Sequence, residues 1–321
     1  MNRAARLIAV LLVAVHARPV LAADYYPVRP IRCLVNSSPG GAPDIFARTV
    51  GQKITENTGQ QFVVDARPGG GGVIAGELAA KAPADGYTLI VAGAALFGAL
   101  PATRKRLPFD PFKDFAPITL IADSPNIVVV NPSLPAKSIA ELIDIAKTKP
   151  LLYASTGTIT PSHLAAELFN VLAGVRLTHV PYKGAGPALA DLIAGQVQLL
   201  ITAPISAGPH ITSGRVRALA VTGRQRSSAF PDLPTVAETV SGYEMTQWWG
   251  LLAPAGTPER VRQILFNEAV RALGSPEVRE RFAAQAATPG GGSPRALADH
   301  MQAELARTRK IVALAGIAVE N

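Results

Sequence analysis

Three short stretches have a composition suited to holding an anion rather than to covalent chemistry. They are Asn36-Ser37-Ser38-Pro39-Gly40-Gly41-Ala42-Pro43-Asp44, Ser155-Thr156-Gly157-Thr158-Ile159-Thr160-Pro161 and Tyr182-Lys183-Gly184-Ala185-Gly186-Pro187. Each follows an apolar run and leads through small or hydroxyl-bearing residues to a proline. Proline is favoured at the first helical position, where the N–H it lacks would have no partner. Each stretch is therefore expected to be a strand end, an open loop and a helix N-terminus. Unpaired N–H groups and the positive end of the helix dipole would then face a ligand that the small residues admit. One such loop is ordinary punctuation. Three at strand ends point to a ligand crevice of the kind found at the carboxyl edge of open α/β sheets. Each terminus contributes about 0.3–1 kcal/mol towards an anion, whereas micromolar binding needs about 8 kcal/mol. Dehydration between closing walls must supply the rest.

Catalytic and metal chemistry find less support. The chain has no Gly-x-Ser-x-Gly elbow and no His-Glu-x-x-His pair, and beyond the N-terminal region its histidines are His163, His179, His210 and His300. His163 and Glu167 have the spacing of one helix face, which fits capping or packing better than ligation. Gly70-Gly71-Gly72-Val73-Ile74-Ala75 matches a dinucleotide fingerprint, but the next strand ends in Ala92-Gly93-Ala94 without the acidic ribose partner. The glycines are read as a tight turn, with backbone contact to a ligand as the alternative. No cofactor and no metal are expected.

The elements that must position these loops follow from hydrophobic periodicity. Strand-like runs occur at Ile31–Val35, Phe62–Val64, Thr88–Val91, Ile127–Val130, Leu151–Ala154, Leu199–Thr202, Ala218–Val221 and Gly250–Ala253, with a short one at His179-Val180. Helical periods lie between many of them. Ile45–Asn57 places Phe46, Val50 and Ile54 on one face, and Ile139–Lys149 opens with the capping box Ser138-x-x-Glu141. Pro258–Leu273, Pro276–Gln285 and Pro294–Leu314 read as consecutive helices with no strand between them. The expected class is α/β, with mostly parallel sheets and a C-terminal helical layer.

The first residues read as a cleaved secretory signal over 1–23. Arg3 and Arg6 precede the apolar run Leu7–Val15, which is too short to span a bilayer, and Val20-Leu21-Ala22 supplies the small-residue cleavage pattern. Loss of Arg3, Arg6 and Arg18 lowers the formal charge from +8 to +5. The basic clusters Arg104-Lys105-Arg106 and Arg307-Thr308-Arg309-Lys310 are read as solvated faces, because aromatics form only 6% of the chain and no stacking platform accompanies them. No nucleic-acid partner is expected. The lone Cys33, inside a strand-like run, is read as a buried thiol. About 300 residues after the signal favour two domains.

One further set of motifs carries a family resemblance. Tyr26-Pro27-Val28-Arg29-Pro30-Ile31, Pro39-Gly40-Gly41-Ala42-Pro43-Asp44, Arg67-Pro68-Gly69, Asp85-Gly86-Tyr87-Thr88-Leu89, Val130-Asn131-Pro132-Ser133-Leu134-Pro135, Ser162–Phe169, His179-Val180-Pro181-Tyr182-Lys183-Gly184, Leu219-Ala220-Val221-Thr222 and Gly250–Pro258 follow one another along nearly the whole chain. In these motifs the chain resembles the Bug/TctC family, the extracytoplasmic solute receptors of tripartite tricarboxylate transport systems. The resemblance implies a two-domain type II periplasmic-binding-protein fold, with domain 1 over 24–122 and 245–321 and domain 2 over 123–244. It implies a small carboxylate ligand in the interdomain cleft, held mainly by backbone N–H groups, hydroxyls and water rather than by an arginine clamp. It also implies a periplasmic, monomeric protein that passes its ligand to membrane transporter subunits.

Carried over by position, Ser38, Pro39, Gly40, Gly41 and Asp44, and Gly93, Ala94 and Ala95 after the strand at Val91, would line the cleft from domain 1. Ser155, Thr156, Gly157, Thr158, Ser162 and His163, with Thr202 and Ala203, would line it from domain 2. Asp44 also suits stabilising its own helix start. Trp248-Trp249 fits either a ring near the hinge or two core aromatics. Relatives commonly carry hydroxyl or polar pairs where this chain has Gly93-Ala94-Ala95-Leu96 and Thr202-Ala203. An alkyl or aromatic carboxylate is therefore expected in preference to citrate or an acidic amino acid. A ligand-presenting partner of a signalling receptor, or an exported enzyme on the same fold, are the alternative functions.

Overall fold

The computed structural model describes residues 26–319; the expected signal over 1–23 and its cleavage lie outside the described residues. The chain runs β1 (Ile31–Val35), α1 (Ala42–Thr58), β2 (Phe62–Ala66), α2 (Val73–Ala80), β3 (Thr88–Gly93), α3 (Leu100–Thr103), β4 (Phe115–Pro125) and β5 (Ile127–Val130). It continues through α4 (Ile139–Thr148), β6 (Leu152–Ser155), α5 (Pro161–Ala173), β7 (Thr178–Pro181), α6 (Ala185–Ile193), β8 (Leu199–Thr202), α7 (Pro204–Thr212) and β9 (Arg217–Val221). It closes with β10 (Thr246–Pro254), α8 (Glu259–Gly274), α9 (Pro276–Ala283), β11 (Thr288–Pro289) and α10 (Pro294–Leu314).

Two sheets result. The larger has the order β11-β4-β10-β3-β1-β2 and the smaller β7-β6-β8-β5-β9. Strands such as Ile31–Val35 and Thr88–Gly93 are apolar almost throughout because helices cover both faces of their sheet. Phe46, Val50 and Ile54 of α1 pack with Leu265, Ala269 and Phe282 of α8 and α9 on one face of the larger sheet. Ala75, Leu96, Phe97, Leu297 and Met301 cover the other. In the smaller sheet, Leu142, Leu164 and Phe169 lie on one side and Ala188, Leu189 and Leu192 on the other. The C-terminal helix α10 joins both parts, since Ile311 and Val312 belong to the core of the smaller sheet while Leu297 and Met301 belong to that of the larger.

The sheets are mixed rather than mostly parallel. β1 pairs in parallel with β2 and β3, and β6 with β7 and β8, but β10 runs against β3 and β4, β11 against β4, and β5 against β8 and β9. The reason is topological. A strand–helix–strand unit returns the chain to run parallel, whereas β4 passes directly into β5 through Asn126 and carries the chain from one sheet to the other. The second crossing lies between β9 and β10. Thr222 ties the two crossings: its hydroxyl accepts from Asn126 N at 2.7 Å and also bonds the Met245 carbonyl. A further departure is β11, a short strand between α9 and α10, where consecutive helices with no strand between them are expected.

The cap at α4 forms as its sequence suggests, with Ser138 Oγ accepting from Glu141 N; the Glu141 carboxylate reaches back one residue further, to Lys137 N. Cys33 is fully buried, and burial pushes its thiol well above the usual range. Among the described residues no helix is long and apolar enough to cross a membrane.

Candidate ligand-binding site

A cavity of about 360 Å³ opens where the C-terminal ends of β1, β2 and β3 face those of β6, β7 and β8. This lies within the range of small-molecule sites. Its larger-sheet wall includes Asn36, Ser37, Gly41, Gly69–Gly72, Gly93, Ala94, Ala95 and Arg104. The opposite wall includes Thr156, Gly157, Thr158, Thr160, the Pro181–Ala185 turn, Thr202, Ala203 and Ser206, and Gln247 and Trp249 contribute from the crossing strand β10.

Four helices begin at this cavity without a side-chain cap: α1 after Gly41, α2 after Gly72, α6 after Gly184 and α7 after Ala203. In α7, Pro204 stands in the first turn, as Pro43 does in α1. In α6 the helix starts at Ala185, so Pro187 sits inside its first turn rather than at its first position. Helix N-termini concentrate partial positive charge, and α2, α6 and α7 have neither a capping side chain nor an acidic residue in the first turn to offset it, whereas α1 carries Asp44. Two hydroxyls add to the pattern. Ser37 and Ser206 are 8% and 6% exposed, line the cavity and have no protein hydrogen-bond partner for Oγ among the described residues. Buried hydroxyls in that state are costly unless a ligand or water completes them. Among the described residues, the charged side chains on the walls are Arg104 and Lys183, and no carboxylate side chain lines the cavity. Such a site favours an anion.

Of the residues expected to bind, Gly41, Gly93, Ala94, Ala95, Thr156, Gly157, Thr158, Thr202 and Ala203 line the cavity, and Ser38, Pro39, Gly40, Asp44, Ser155, Ser162 and His163 do not. Each exception has a physical reason. Asp44 turns into its own helix start, where its carboxylate accepts from Gly40 N at 3.0 Å and from Arg48 at 2.9 Å. Ser38 and Pro39 are pressed against the α6 turn: a Cβ on Gly184 would lie 2.4 Å from Ser38 Oγ, and one on Gly186 would lie 3.1 Å from Pro39 O. Ser162 Oγ donates to the Ile201 carbonyl at 2.5 Å, fastening α5 to β8. Ser155 is fully buried; its Oγ lies 2.6 Å from His179 Nε2 and accepts from Gly157 N. Gly93 lines the cavity but is also required by packing, since a Cβ there would lie 1.7 Å from Trp248 O.

His163 stands one layer behind the wall. Its Nδ1 accepts from Ile159 N at 3.2 Å, and its ring stacks on His179 with centroids 4.1 Å apart. Tyr153 lies against His179 and donates its hydroxyl to Glu167. Burial holds both histidines below their ordinary range; His179 is pushed down to about 4 by burial and then by its stacked neighbour. Ile159 has a positive φ of 57°, a conformation that costs a β-branched residue on the order of 1–3 kcal/mol. The bond to His163 helps hold it.

The sequence reading missed Arg104, which belongs to the basic cluster taken as a solvated face yet is half-buried at the cavity. It sits at the C-terminal end of α3, eleven residues beyond the end of β3 at Gly93, so no local pattern tied it to the cavity. Ser206 and Gln247 carried no local signal. The tryptophan pair divides: Trp248 stacks on Phe97 and bonds Glu304, while Trp249 packs on Phe46 and reaches the cavity. Among the described residues no cluster of His, Cys, Asp or Glu is arranged to hold a metal ion.

Comparison with known proteins agrees with this geometry. The model of the tripartite tricarboxylate transporter family receptor matches residues 46–317. Protein BugT of Bordetella pertussis is 37% identical, the match covering 87% of this chain and 86% of BugT. The Rhodopseudomonas palustris protein Rpa4515, solved with adipate, is 38% identical with a TM-score of 0.89, over 92% of this chain and 99% of that one. MatC of the same organism, solved with bound malate, is 32% identical with a TM-score of 0.84, over 89% of this chain and all of its own. Fold, cavity and sequence thus converge, and the chain belongs to the Bug/TctC family of tripartite tricarboxylate transporter receptors.

Proposed function

We propose that the protein is a periplasmic, monomeric and non-catalytic receptor, exported by a signal over 1–23. It captures a small carboxylate between domain 1 (24–122 with 245–321) and domain 2 (123–244) and delivers it to the membrane subunits of a tripartite tricarboxylate transporter. The observation that carries the reading is the cavity wall: among the described residues it has four helix N-termini without a side-chain cap, two buried hydroxyls without protein partners and two cations, and no carboxylate side chain. The adipate and malate held by relatives over 30% identical support the ligand class.

Ala94, Ala203 and Trp249 give part of the wall an apolar surface. An aliphatic ligand body gains roughly 25 cal/mol for each Å² buried there. A hydroxyl or ammonium facing the same surface would lose a partner, at about 1–3 kcal/mol. Acids with a hydrocarbon body, adipate among them, are therefore favoured over citrate and glutamate. Leu96 does not take part in this selection, because its side chain belongs to the core beneath.

A thermal-shift screen against carboxylates tests the reading. A true ligand at a hundred times its Kd stabilises by about 2.7 kcal/mol. Stabilisation by hydrocarbon diacids is expected; a screen in which no carboxylate raises the melting temperature would reject the receptor assignment.

A further inference from the structure

The loop Thr156–Thr160 forms part of the cavity wall, and two buried histidines hold it from behind. His163 Nδ1 accepts the amide proton of Ile159 at 3.2 Å. His179 Nε2 lies 2.6 Å from Ser155 Oγ, and that oxygen in turn is 3.2 Å from Gly157 N and 3.0 Å from Gly157 O. The two rings stack at 4.1 Å, so both anchors belong to one unit. The other titratable groups facing this unit are Glu167 on α5, whose carboxylate lies 3.9 Å from His163 Nε2, and Tyr153 on β6, which donates to that carboxylate.

We propose that His163 and His179 are positioning residues for ligand binding, which shape the Thr156–Thr160 wall only while both rings are neutral. The inference rests on the receptor reading above and adds a dependence on proton activity to it.

The chemistry is local. A neutral imidazole has one acceptor nitrogen, and in His163 the bond from Ile159 places that acceptor at Nδ1, leaving the proton on Nε2 towards Glu167. A second proton must go to Nδ1. The amide of Ile159 then faces a donor instead of an acceptor, and the positive-φ conformation loses its hydrogen bond. A proton taken up by His179 instead puts positive charge against the stacked ring of His163. Either event loosens the turn. Burial postpones protonation below the ordinary histidine range, with His179 reaching about 4, so release belongs to acid conditions.

The test follows the backbone amides of Gly157 and Ile159 by NMR in the isotope-labelled, ligand-free protein between about pH 7 and about pH 4. Both amides are expected to shift with one midpoint that matches the His163 ring protons. In His163→Asn, which keeps an acceptor near the Nδ1 position without a titrating ring, the Ile159 amide should stay fixed, and any shift left at Gly157 should follow the His179 ring protons. Calorimetry with adipate is the second arm. Wild-type affinity should fall by at least about tenfold more than that of His163→Asn across the same range, the variant cancelling protonation of the acid itself. Amides that stay fixed in the wild type, or parallel affinity curves for wild type and variant, would overturn the proposal. Titrating amides in a protein that binds no carboxylate at neutral pH would support the histidine brace and count against the receptor reading alone.

Discussion

Gly184 and Ser38 meet across the cavity mouth so closely that a Cβ on Gly184 would lie 2.4 Å from Ser38 Oγ and 2.8 Å from Ser38 N. One residue caps α6 beside the smaller sheet and the other follows β1 of the larger, so this contact belongs to the approach of the two halves. Gly184 also has φ of 125°, which side chains rarely adopt. Gly184→Ala is expected to weaken ligand binding by at least about tenfold, roughly 1.4 kcal/mol. Gly186→Ala separates the two causes, because it has no positive φ and its added Cβ would meet Pro39 O at 3.1 Å. Calorimetry on both variants checks this; unchanged affinity in both would show that the halves can close without this contact.

Arg104 and Lys183 are the cations on the cavity wall, but Lys183 is exposed and Arg104 half-buried. A guanidinium offers five donors in a fixed fork, so it can serve a ligand carboxylate alongside a protein neighbour. Charge-assisted hydrogen bonds contribute about 1.5–3 kcal/mol. Arg104→Gln should therefore weaken a diacid such as adipate by about 10- to 100-fold and leave hexanoate nearly unchanged. An equal loss for both acids would assign Arg104 to the fold of the wall rather than to a second carboxylate.

Stability should fall as the solution is acidified from about pH 6.5 towards pH 4. The unfolded chain binds protons at its histidines near 6.5. The folded chain resists them, because burial depresses His163, His179 and His300, with His179 at about 4. Below 6.5 the unfolded state thus holds more protons, and falling pH favours it until the folded rings titrate as well. The salt-bridged Glu238, lowered to about 2 by Arg226 and the Thr235 cap, belongs to a separate and more acid window. Denaturant midpoints across this range should decline less steeply in His179→Gln than in the wild type; identical slopes would place the dependence elsewhere.

Hydrophobic periodicity alone located most of this architecture, because apolar strands such as Thr88–Gly93 and amphipathic helices such as α1 carry their burial pattern within a few residues. It failed at β4, whose Pro117 and Pro125 look like breakers. The partner register shifts between Leu251 and Leu252, and Leu252 pairs with Pro117, so the proline sits at an irregularity that tolerates its missing N–H. At the site, the loops were legible from their small residues and prolines. The directions of their hydroxyls were not. Ser155 and Ser162 are engaged by His179 and by the Ile201 carbonyl, partners 24 and 39 residues away, which no local pattern encodes. The same distance in sequence hid Ser206 and Gln247, which reach the cavity from α7 and from a crossing strand.

Ser37 and Ser206 allow a test in which stability and binding move in opposite directions. Each hydroxyl is buried at the cavity and its Oγ has no protein hydrogen-bond partner among the described residues. An unsatisfied buried polar group destabilises by about 1–3 kcal/mol, and alanine removes it while leaving the Cβ in place. Ser206 follows the uncapped start of α7 and Ser37 precedes that of α1, so both hydroxyls stand where N–H groups would meet a carboxylate. Ser37→Ala and Ser206→Ala should each raise the unfolding free energy of the ligand-free protein by about 1 kcal/mol. The same substitutions should weaken adipate binding by about 5- to 30-fold, because the ligand oxygen that completed the hydroxyl loses a bond of about 1–2 kcal/mol. Chemical denaturation measured beside calorimetry decides it. Variants that lose stability would show that internal water already satisfies these hydroxyls, and variants with unchanged affinity would remove them from the ligand's contacts.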